Sequence, residues 1–116
     1  MSEYILIHNP RCSKSRETLG ILEANNIEPE ILLYLEKKMD KNFLENLFKA
    51  LSKNPKDCLR TKEEDYKSLD INWDDDSQAI DAIIKYPKIL ERPILLKGDK
   101  AVIGRPPELV KELISK

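Results

Sequence analysis

The residues most able to do chemistry surround a cysteine, Cys12, in the segment His8-Asn9-Pro10-Arg11-Cys12-Ser13-Lys14-Ser15-Arg16. This segment follows the apolar run Tyr4-Ile5-Leu6-Ile7 and precedes a helical pattern, which predicts a strand-to-helix loop. A thiol placed there faces the unpaired N–H groups of the first helical turn and the positive end of the helix dipole. Both favour the thiolate, which is the reactive form of cysteine. The same N–H groups can hold an oxyanion, so we expect a nucleophile and an acidic substrate to meet at this loop.

The neighbours of Cys12 are polar and positively charged, which favours an accessible and ionised thiol. Arg11, Lys14 and Arg16 place positive charge beside it. Such surroundings argue against the alternative that Cys12 is a small apolar residue of the core. His8, four residues earlier, is a candidate for tuning the thiolate. Its alternative is a strand-end residue whose ring is satisfied by the backbone.

Arginine is scarce in this chain, and the few arginines are candidates for binding an anion. Lysine supplies fifteen of the twenty positive charges, and arginine supplies the five at positions 11, 16, 60, 92 and 105. A guanidinium group is a planar, permanently charged fork that binds an oxyanion bidentately. Arg60, Arg92 and Arg105 are distant in sequence, but the predicted fold can bring them to Cys12. We expect them to bind a tetrahedral oxyanion there and to neutralise its charge during attack.

The composition limits the classes of protein and of site. The 116 residues suffice for one domain, 1–116, and 41% hydrophobic with 35% charged residues is typical of a globular chain. A net charge of -1 gives no indication of a nucleic acid partner. Because no apolar run approaches a membrane span and no signal-peptide pattern is seen, we expect a cytoplasmic protein without a membrane partner. Cys12 and Cys58 form no CxxC or zinc spacing, and a single histidine leaves metal catalysis without support.

The chain opens with a predicted strand–helix–strand unit. Residues 4–7 form a short apolar run typical of a buried strand. A helix capped by Cys12 or Ser13 is expected to run to about Asn25, and residues 31–34 predict a second strand. A helical crossover of this length favours parallel pairing of the two strands.

A helical insertion is predicted from about residue 38 to about residue 86. Asp40 is the expected cap of an amphipathic helix, and Asn54-Pro55 predicts the start of a short helix containing Cys58. Thr61-Lys62-Glu63-Glu64 matches a capping box for another short helix. A further helix, with isoleucines at 80, 83 and 84, is expected to end before Pro87.

The end of the chain returns to β-structure. Residues 94–96 and 101–103 predict a hairpin with a tight turn at Gly98-Asp99, and Pro107 is expected to open a last helix. The predicted fold class is therefore α/β: a thioredoxin-like β-α-β … β-β-α mixed sheet with a helical insertion in the middle. In that architecture a cis proline commonly sits beside the reactive cysteine, and Pro93, just before the third strand, is the candidate for this structural role.

Four segments of the chain resemble the glutaredoxin-dependent arsenate reductase family, in order and over nearly the whole length. The segments are His8-Asn9-Pro10-Arg11-Cys12-Ser13-Lys14-Ser15-Arg16, Leu33-Tyr34-Leu35, Glu91-Arg92-Pro93-Ile94 and Ile103-Gly104-Arg105-Pro106-Pro107. The resemblance implies a thioredoxin-like fold with a helical insert and Cys12 as the catalytic residue. It implies oxyanion binding by Arg60, Arg92 and Arg105, and tuning of the thiolate by His8 and Ser15, to which we add Arg11 for its charge.

The reaction that this resemblance implies is the reduction of arsenate to arsenite. Cys12 attacks arsenic(V), glutathione resolves the adduct, and glutaredoxin takes over the resulting mixed disulfide. Glutathione is then a co-substrate, and no cofactor is expected to be bound. Only one cysteine is needed in such a mechanism, which agrees with the absence of a CxxC motif.

Three alternatives stay open at the level of the sequence. The first is a redox-related regulator that binds RNA polymerase, although Ser15 occupies the position where such sensors carry a second cysteine. The second is a general glutathione-linked thiol oxidoreductase acting on disulfides. The third concerns Cys58, which is either a small packing residue or an internal partner that resolves Cys12 as a disulfide.

Overall fold

The computed structural model describes residues 3–114, which form strands and helices in the predicted order. The strands are β1 (Tyr4–His8), β2 (Glu30–Leu33), β3 (Ile94–Lys97) and β4 (Lys100–Ile103). The α-helices are α1 (Ser13–Ala24), α2 (Lys41–Leu51), α3 (Glu64–Lys67), α4 (Asp76–Lys85) and α5 (Lys111–Ile114). Short 3-10 helices span Pro55–Cys58, Pro87–Ile89 and Pro107–Val110. None of the helices in this range is long and apolar enough to cross a membrane.

The chain forms two compact units. The first contains the residues up to Lys37 together with those from Arg92 onwards, and the second is Lys38–Glu91. The second unit therefore includes the stretch that the sequence predicts as a helical insertion. That residues 1–116 make a single domain stays a prediction.

The first unit is built on a mixed four-stranded sheet with the order β2-β1-β3-β4. β1 and β2 are parallel because helix α1 carries the chain back between them. β3 is antiparallel to β1, and β4 is antiparallel to β3 through a hairpin in which Gly98 has a φ of 62°. That left-handed conformation suits glycine, which has no Cβ. The predicted α/β class and the mixed thioredoxin-like sheet are confirmed.

An apolar cluster holds α1 and the end of the chain against the sheet. Its buried residues are Tyr4, Leu6, Leu22, Leu95 and Val110. Tyr4 and Leu6 are two positions apart, so they lie on the same face of β1. This packing fixes where α1 begins, at the loop that carries Cys12.

The second unit is made of helices and connecting turns. Asp40 caps α2, since its Oδ1 accepts a 2.7 Å hydrogen bond from the backbone N–H of Phe43, as the sequence predicts. Leu44 and Leu47 of α2 are fully buried, and so is Ile83 of α4. Helix α4 ends two residues before Pro87, which confirms the predicted stop.

One local prediction was wrong, and one helix has a mixed form. The capping box over Thr61-Lys62-Glu63-Glu64 does not form: α3 begins at Glu64 with Glu63 as its N-cap, and Glu63 caps nothing with its side chain. The carboxylate of Glu63 instead accepts a 2.8 Å hydrogen bond from Nη1 of Arg60. The last helix starts at Pro107 as predicted, but its first turn is 3-10 and only Lys111–Ile114 is α-helical.

Candidate active site around Cys12

Cys12 is the N-cap residue of α1, at the end of a tight turn. Its backbone is extended, with φ -96° and ψ 124°. Its N–H donates a 2.9 Å hydrogen bond to the carbonyl of Asn9, and its carbonyl accepts one of 3.1 Å from Arg16. The Sγ atom therefore lies at the positive end of a twelve-residue helix, half-buried.

The surroundings of Cys12 lower the pKa of its thiol. Burial by itself raises that pKa, but the backbone N–H groups of Ser15 and Lys14 and the positive charge of Arg92 together outweigh it. The two N–H groups act as dipoles, because neither makes a hydrogen bond of good geometry to Sγ. The predicted thiolate thus has a structural basis in the helix terminus and in one arginine.

The register of the sheet brings two arginines to the Cys12 loop. Ile94 of β3 lies opposite both Ile7 of β1 and Ile103 of β4. The chain entering β3, the chain leaving β1 and the chain leaving β4 therefore meet at one end of the sheet. Arg92 and Arg105, each two residues beyond that row, lie at this end.

Arg92 and Arg105 form a connected pair beside the thiol. Arg105 donates a 2.8 Å hydrogen bond from Nε to the carbonyl of Arg92, and its Nη2 lies 3.9 Å from Sγ of Cys12. Arg92 is buried, with 9% of its surface exposed, and its guanidinium group lowers the pKa of Cys12. The Arg92-Pro93 peptide bond is cis, and so is Arg105-Pro106. Two of the three predicted anion-binding arginines therefore converge on Cys12.

Arg60 belongs to the second unit, between the Pro55–Cys58 turn and α3. Its backbone N–H donates a 2.7 Å hydrogen bond to Ile89, and its guanidinium pairs with Glu63. Both side chains are about one quarter exposed, at 27% and 28%. A role for Arg60 in binding the anion stays a prediction.

His8 is a buried imidazole at the end of β1. Burial lowers its pKa, and the positive charge of Arg16 lowers it further. Within residues 3–114 its Nδ1 atom has no hydrogen-bond partner. The alternative of a ring satisfied through that atom by the backbone is therefore not observed. Tuning of the thiolate by His8 stays a prediction.

Ser15 and Arg11 both form hydrogen bonds with Asn9, in the turn before Cys12. Ser15 is fully buried, and its Oγ accepts a 3.3 Å hydrogen bond from the N–H of Asn9. Arg11 is exposed, and its backbone N–H donates a 3.0 Å hydrogen bond to Oδ1 of Asn9. Arg16 donates from Nη1 to the carbonyl of Pro10 at 2.9 Å. The turn is thus held by the first helical turn that it precedes.

Cys58 has the properties of a packing residue. It is fully buried, and burial raises the pKa of its thiol to about 11. Its Sγ lies 3.7 Å from the carbonyl of Asn54, one turn back. Both cysteines are free thiols. Across the described range 3–114, no group of three histidine, cysteine, aspartate or glutamate residues is placed to hold a metal ion.

Asn9, Thr18 and Gly104 also shape the site, although they were not among the predicted site residues. Asn9 organises the turn before Cys12 through its carbonyl, its side chain and its N–H. Gly104 immediately precedes Arg105, and a Cβ there would lie 2.9 Å from Oγ1 of Thr18 and 3.0 Å from Cγ of Pro93. Asn9 beside Pro10 was a visible turn signal, whereas the close approach at Gly104 depends on tertiary packing.

Comparisons with known proteins match nearly the whole chain. The model of the ArsC family matches residues 7–113. The chain is 49% identical over 113 residues to an arsenate reductase of Haemophilus influenzae, covering 95% of this chain and 97% of that protein. It is 46% identical over 112 residues to the uncharacterized protein YfgD of Escherichia coli, covering 94% of each. The solved arsenate reductase from Vibrio cholerae superimposes with a TM-score of 0.85 at 38% identity, covering 94% of this chain and 95% of that one.

Proposed function

Because this chain belongs to the ArsC family, we propose that it is an arsenate reductase in which Cys12 is the nucleophile. The observation that carries the proposal is the Cys12 thiol, whose pKa is lowered at the start of α1 with Arg92 and Arg105 beside it. A buried guanidinium next to a thiolate is suited to a tetrahedral oxyanion, because it offers both charge and paired N–H donors. A disulfide substrate has no such charge to bind.

Arg92 and Arg105 hold the arsenate oxygens in this proposal. Arg105 has its Nε committed to the carbonyl of Arg92, so its guanidinium plane is fixed while the Nη2 edge faces Cys12. Fixed donors stabilise charge as it develops, without reorganising during the reaction. Arg60 is proposed as a third arginine of the site. The N–H groups at the start of α1 add partial positive charge.

The first step forms a bond between sulfur and arsenic. The Cys12 thiolate attacks arsenic(V), an arsenic–oxygen bond breaks, and the oxygen leaves as water after protonation. Arsenic is still pentavalent in this adduct. The lowered pKa of Cys12 raises the fraction of chains that hold the attacking thiolate at neutral pH.

The second step is the reduction, and it requires a thiol from outside the chain. The thiolate of glutathione attacks Sγ of Cys12, the sulfur–arsenic bond breaks, and its electron pair reduces arsenic to the trivalent state. Arsenite leaves, and a mixed disulfide between Cys12 and glutathione remains. A glutaredoxin dithiol then removes the glutathionyl group and restores Cys12. An external thiol agrees with the inert state of Cys58, whose thiol is buried and of raised pKa.

Arsenate-dependent oxidation of NADPH, coupled through glutathione reductase to glutathione and glutaredoxin, tests the proposal. We expect turnover by the wild type, loss of turnover in Cys12→Ser, and turnover close to wild type in the matched control Cys58→Ser. A wild type that reduces glutathionylated substrates but never arsenate would replace this function with general thiol exchange. Stoichiometric binding to RNA polymerase without turnover would favour the regulator instead.

A further inference from the structure

A groove lies beside the Cys12 loop, within the first unit. Its volume is about 290 Å³, near the lower end of the range of roughly 300–1,000 Å³ for small-molecule sites. Its lining residues, which define the Arg11–Glu36 groove, are His8, Asn9, Pro10, Arg11, Leu33, Leu35 and Glu36. Arg11 directly precedes Cys12 in the chain, so the groove begins within about 4 Å of the cysteine backbone.

The Arg11–Glu36 groove has an exposed apolar part. Leu35 is 40% exposed, and Ile31 is the other large apolar side chain that is exposed among the residues described. Pro10 is also exposed, and Leu33 is half-buried. An apolar surface of this kind, next to the loop that carries Cys12 and flanked by charges, favours a ligand with a short aliphatic body.

The two charged side chains of the groove have opposite signs and are available. Arg11 and Glu36 are both exposed. Within residues 3–114 neither of them forms a salt bridge. A guanidinium group binds a carboxylate, and a carboxylate binds an ammonium group. The groove therefore presents complementary charges to a ligand that carries both an ammonium group and carboxylates.

We propose that the Arg11–Glu36 groove binds the external thiol as a small peptide thiol of the glutathione type. Arg11 would bind a carboxylate of the peptide, Glu36 its α-ammonium group, and Leu33 and Leu35 its aliphatic body. This assignment rests on the proposed function, since the second step needs a thiol that reaches Sγ of Cys12 from outside the chain. A protein partner is disfavoured by the small volume of the groove.

Thiol–disulfide exchange tests the groove without any oxyanion. The Cys12 thiolate of the reduced protein attacks one sulfur of a symmetrical disulfide, the disulfide bond breaks, and one thiolate leaves. The second-order rate constant is measured by mass spectrometry with glutathione disulfide, which carries the charges, and with 2-hydroxyethyl disulfide, which carries none. The readout is the ratio of the two rate constants, because a change in the reactivity of Cys12 moves both rates and leaves their ratio unchanged.

We expect Arg11→Gln and Glu36→Gln each to lower this ratio by about threefold to tenfold, as loss of one partly exposed charge pair predicts. The matched control Glu23→Gln, an exposed carboxylate on α1 outside the groove, is expected to leave both rates unchanged. A ratio that stays at the wild-type value in both groove variants would overturn the proposal. Slower reduction by glutaredoxin in those variants, with the ratio unchanged, would assign the groove to a protein partner and also overturn it. The groove variants could lower the ratio as expected while the wild type never reduces arsenate. That result would overturn the proposed function but support the assignment of the groove.

Discussion

We expect replacement by alanine to have opposite effects at Gly104 and Gly20, and this contrast tests the packing that positions Arg105. At Gly104 an added Cβ would lie 2.9 Å from Oγ1 of Thr18, 3.0 Å from Cγ of Pro93 and 3.4 Å from Cγ1 of Val110. Thr18 and Val110 are fully buried, so neither can move away without disturbing α1 or the last helix. At Gly20, on the exposed side of α1, an added Cβ meets nothing within 4 Å.

The expected magnitudes follow from these distances. Inserting a methyl group into a closely packed site is destabilising by about 1–3 kcal/mol, so Gly104→Ala should lower the free energy of unfolding by that amount. Replacing an exposed helical glycine by alanine is stabilising by about 0.5–1 kcal/mol, so Gly20→Ala should raise it. Both variants differ from the wild type by one methyl group, so they control for each other.

Gly104→Ala should also reduce catalysis, because Gly104 fixes the chain that carries Arg105. The N–H of Gly104 donates a 2.8 Å hydrogen bond to the carbonyl of Pro93, which ties Arg105 to Arg92. A shift of a few tenths of an ångström there would displace Arg105 from its present distance of 3.9 Å to Sγ of Cys12. We expect kcat/KM for arsenate to fall by about tenfold in Gly104→Ala and to stay unchanged in Gly20→Ala.

Equilibrium unfolding in urea, with the coupled reductase assay on the same samples, measures both effects. Unfolding of Gly104→Ala at the wild-type urea concentration would refute the close packing at this site. Full stability with reduced kcat/KM would show that Gly104 acts on the reaction by another route than packing.

Three further predictions concern titratable groups. Arg105→Gln should raise the pKa of Cys12, because the substitution removes a positive charge 3.9 Å from Sγ. An unchanged pH profile of alkylation would contradict this. Because burial raises the pKa of Cys58 to about 11, only Cys12 of the folded chain should be alkylated at neutral pH, and Cys58 should react after unfolding. Alkylation of both cysteines in the folded chain would contradict this prediction. Burial holds the pKa of His8 below 6.5 in the folded chain. As the pH falls, the unfolded chain therefore binds a proton at this residue before the folded chain does. The free energy of unfolding should decrease below about pH 6.5 for this reason. His8→Gln should flatten that dependence in urea titrations, and an identical slope would argue against a buried neutral imidazole.

Features with local signals were predictable from the sequence. Three residues affect only the structure within a few positions of themselves, so the local sequence indicates them. They are Asp40 at the start of an amphipathic helix, Pro87 after a helical pattern and Gly98 between two short apolar runs. The gathering of Cys12, Arg92 and Arg105 was also predictable, because the order of elements places the ends of β1 and β4 beside the start of β3. That prediction required a fold, which the order of strands and helices indicated and the resemblance also implied.

Features that depend on tertiary partners were not predictable. The capping box at Thr61 does not form because α3 begins only at Glu64, with Glu63 as its N-cap, so Thr61 and Glu64 do not occupy the N-cap and N3 positions. The close approach at Gly104 involves Thr18, which is 86 positions earlier in the chain, so no local pattern indicates it. Likewise, the groove between Arg11 and Glu36 exists because β1 and β2 end side by side.

The acidity of the Cys12 thiol tests the account most directly. It is measured in a Cys58→Ser chain, from the pH dependence of the ultraviolet absorbance of the thiolate. The structure predicts a midpoint below that of an ordinary cysteine, about 8.5, because the start of α1 and Arg92 stabilise the charged sulfur. A midpoint at or above that value would contradict the account, since neither attack on arsenate nor exchange with glutathione would then have its nucleophile.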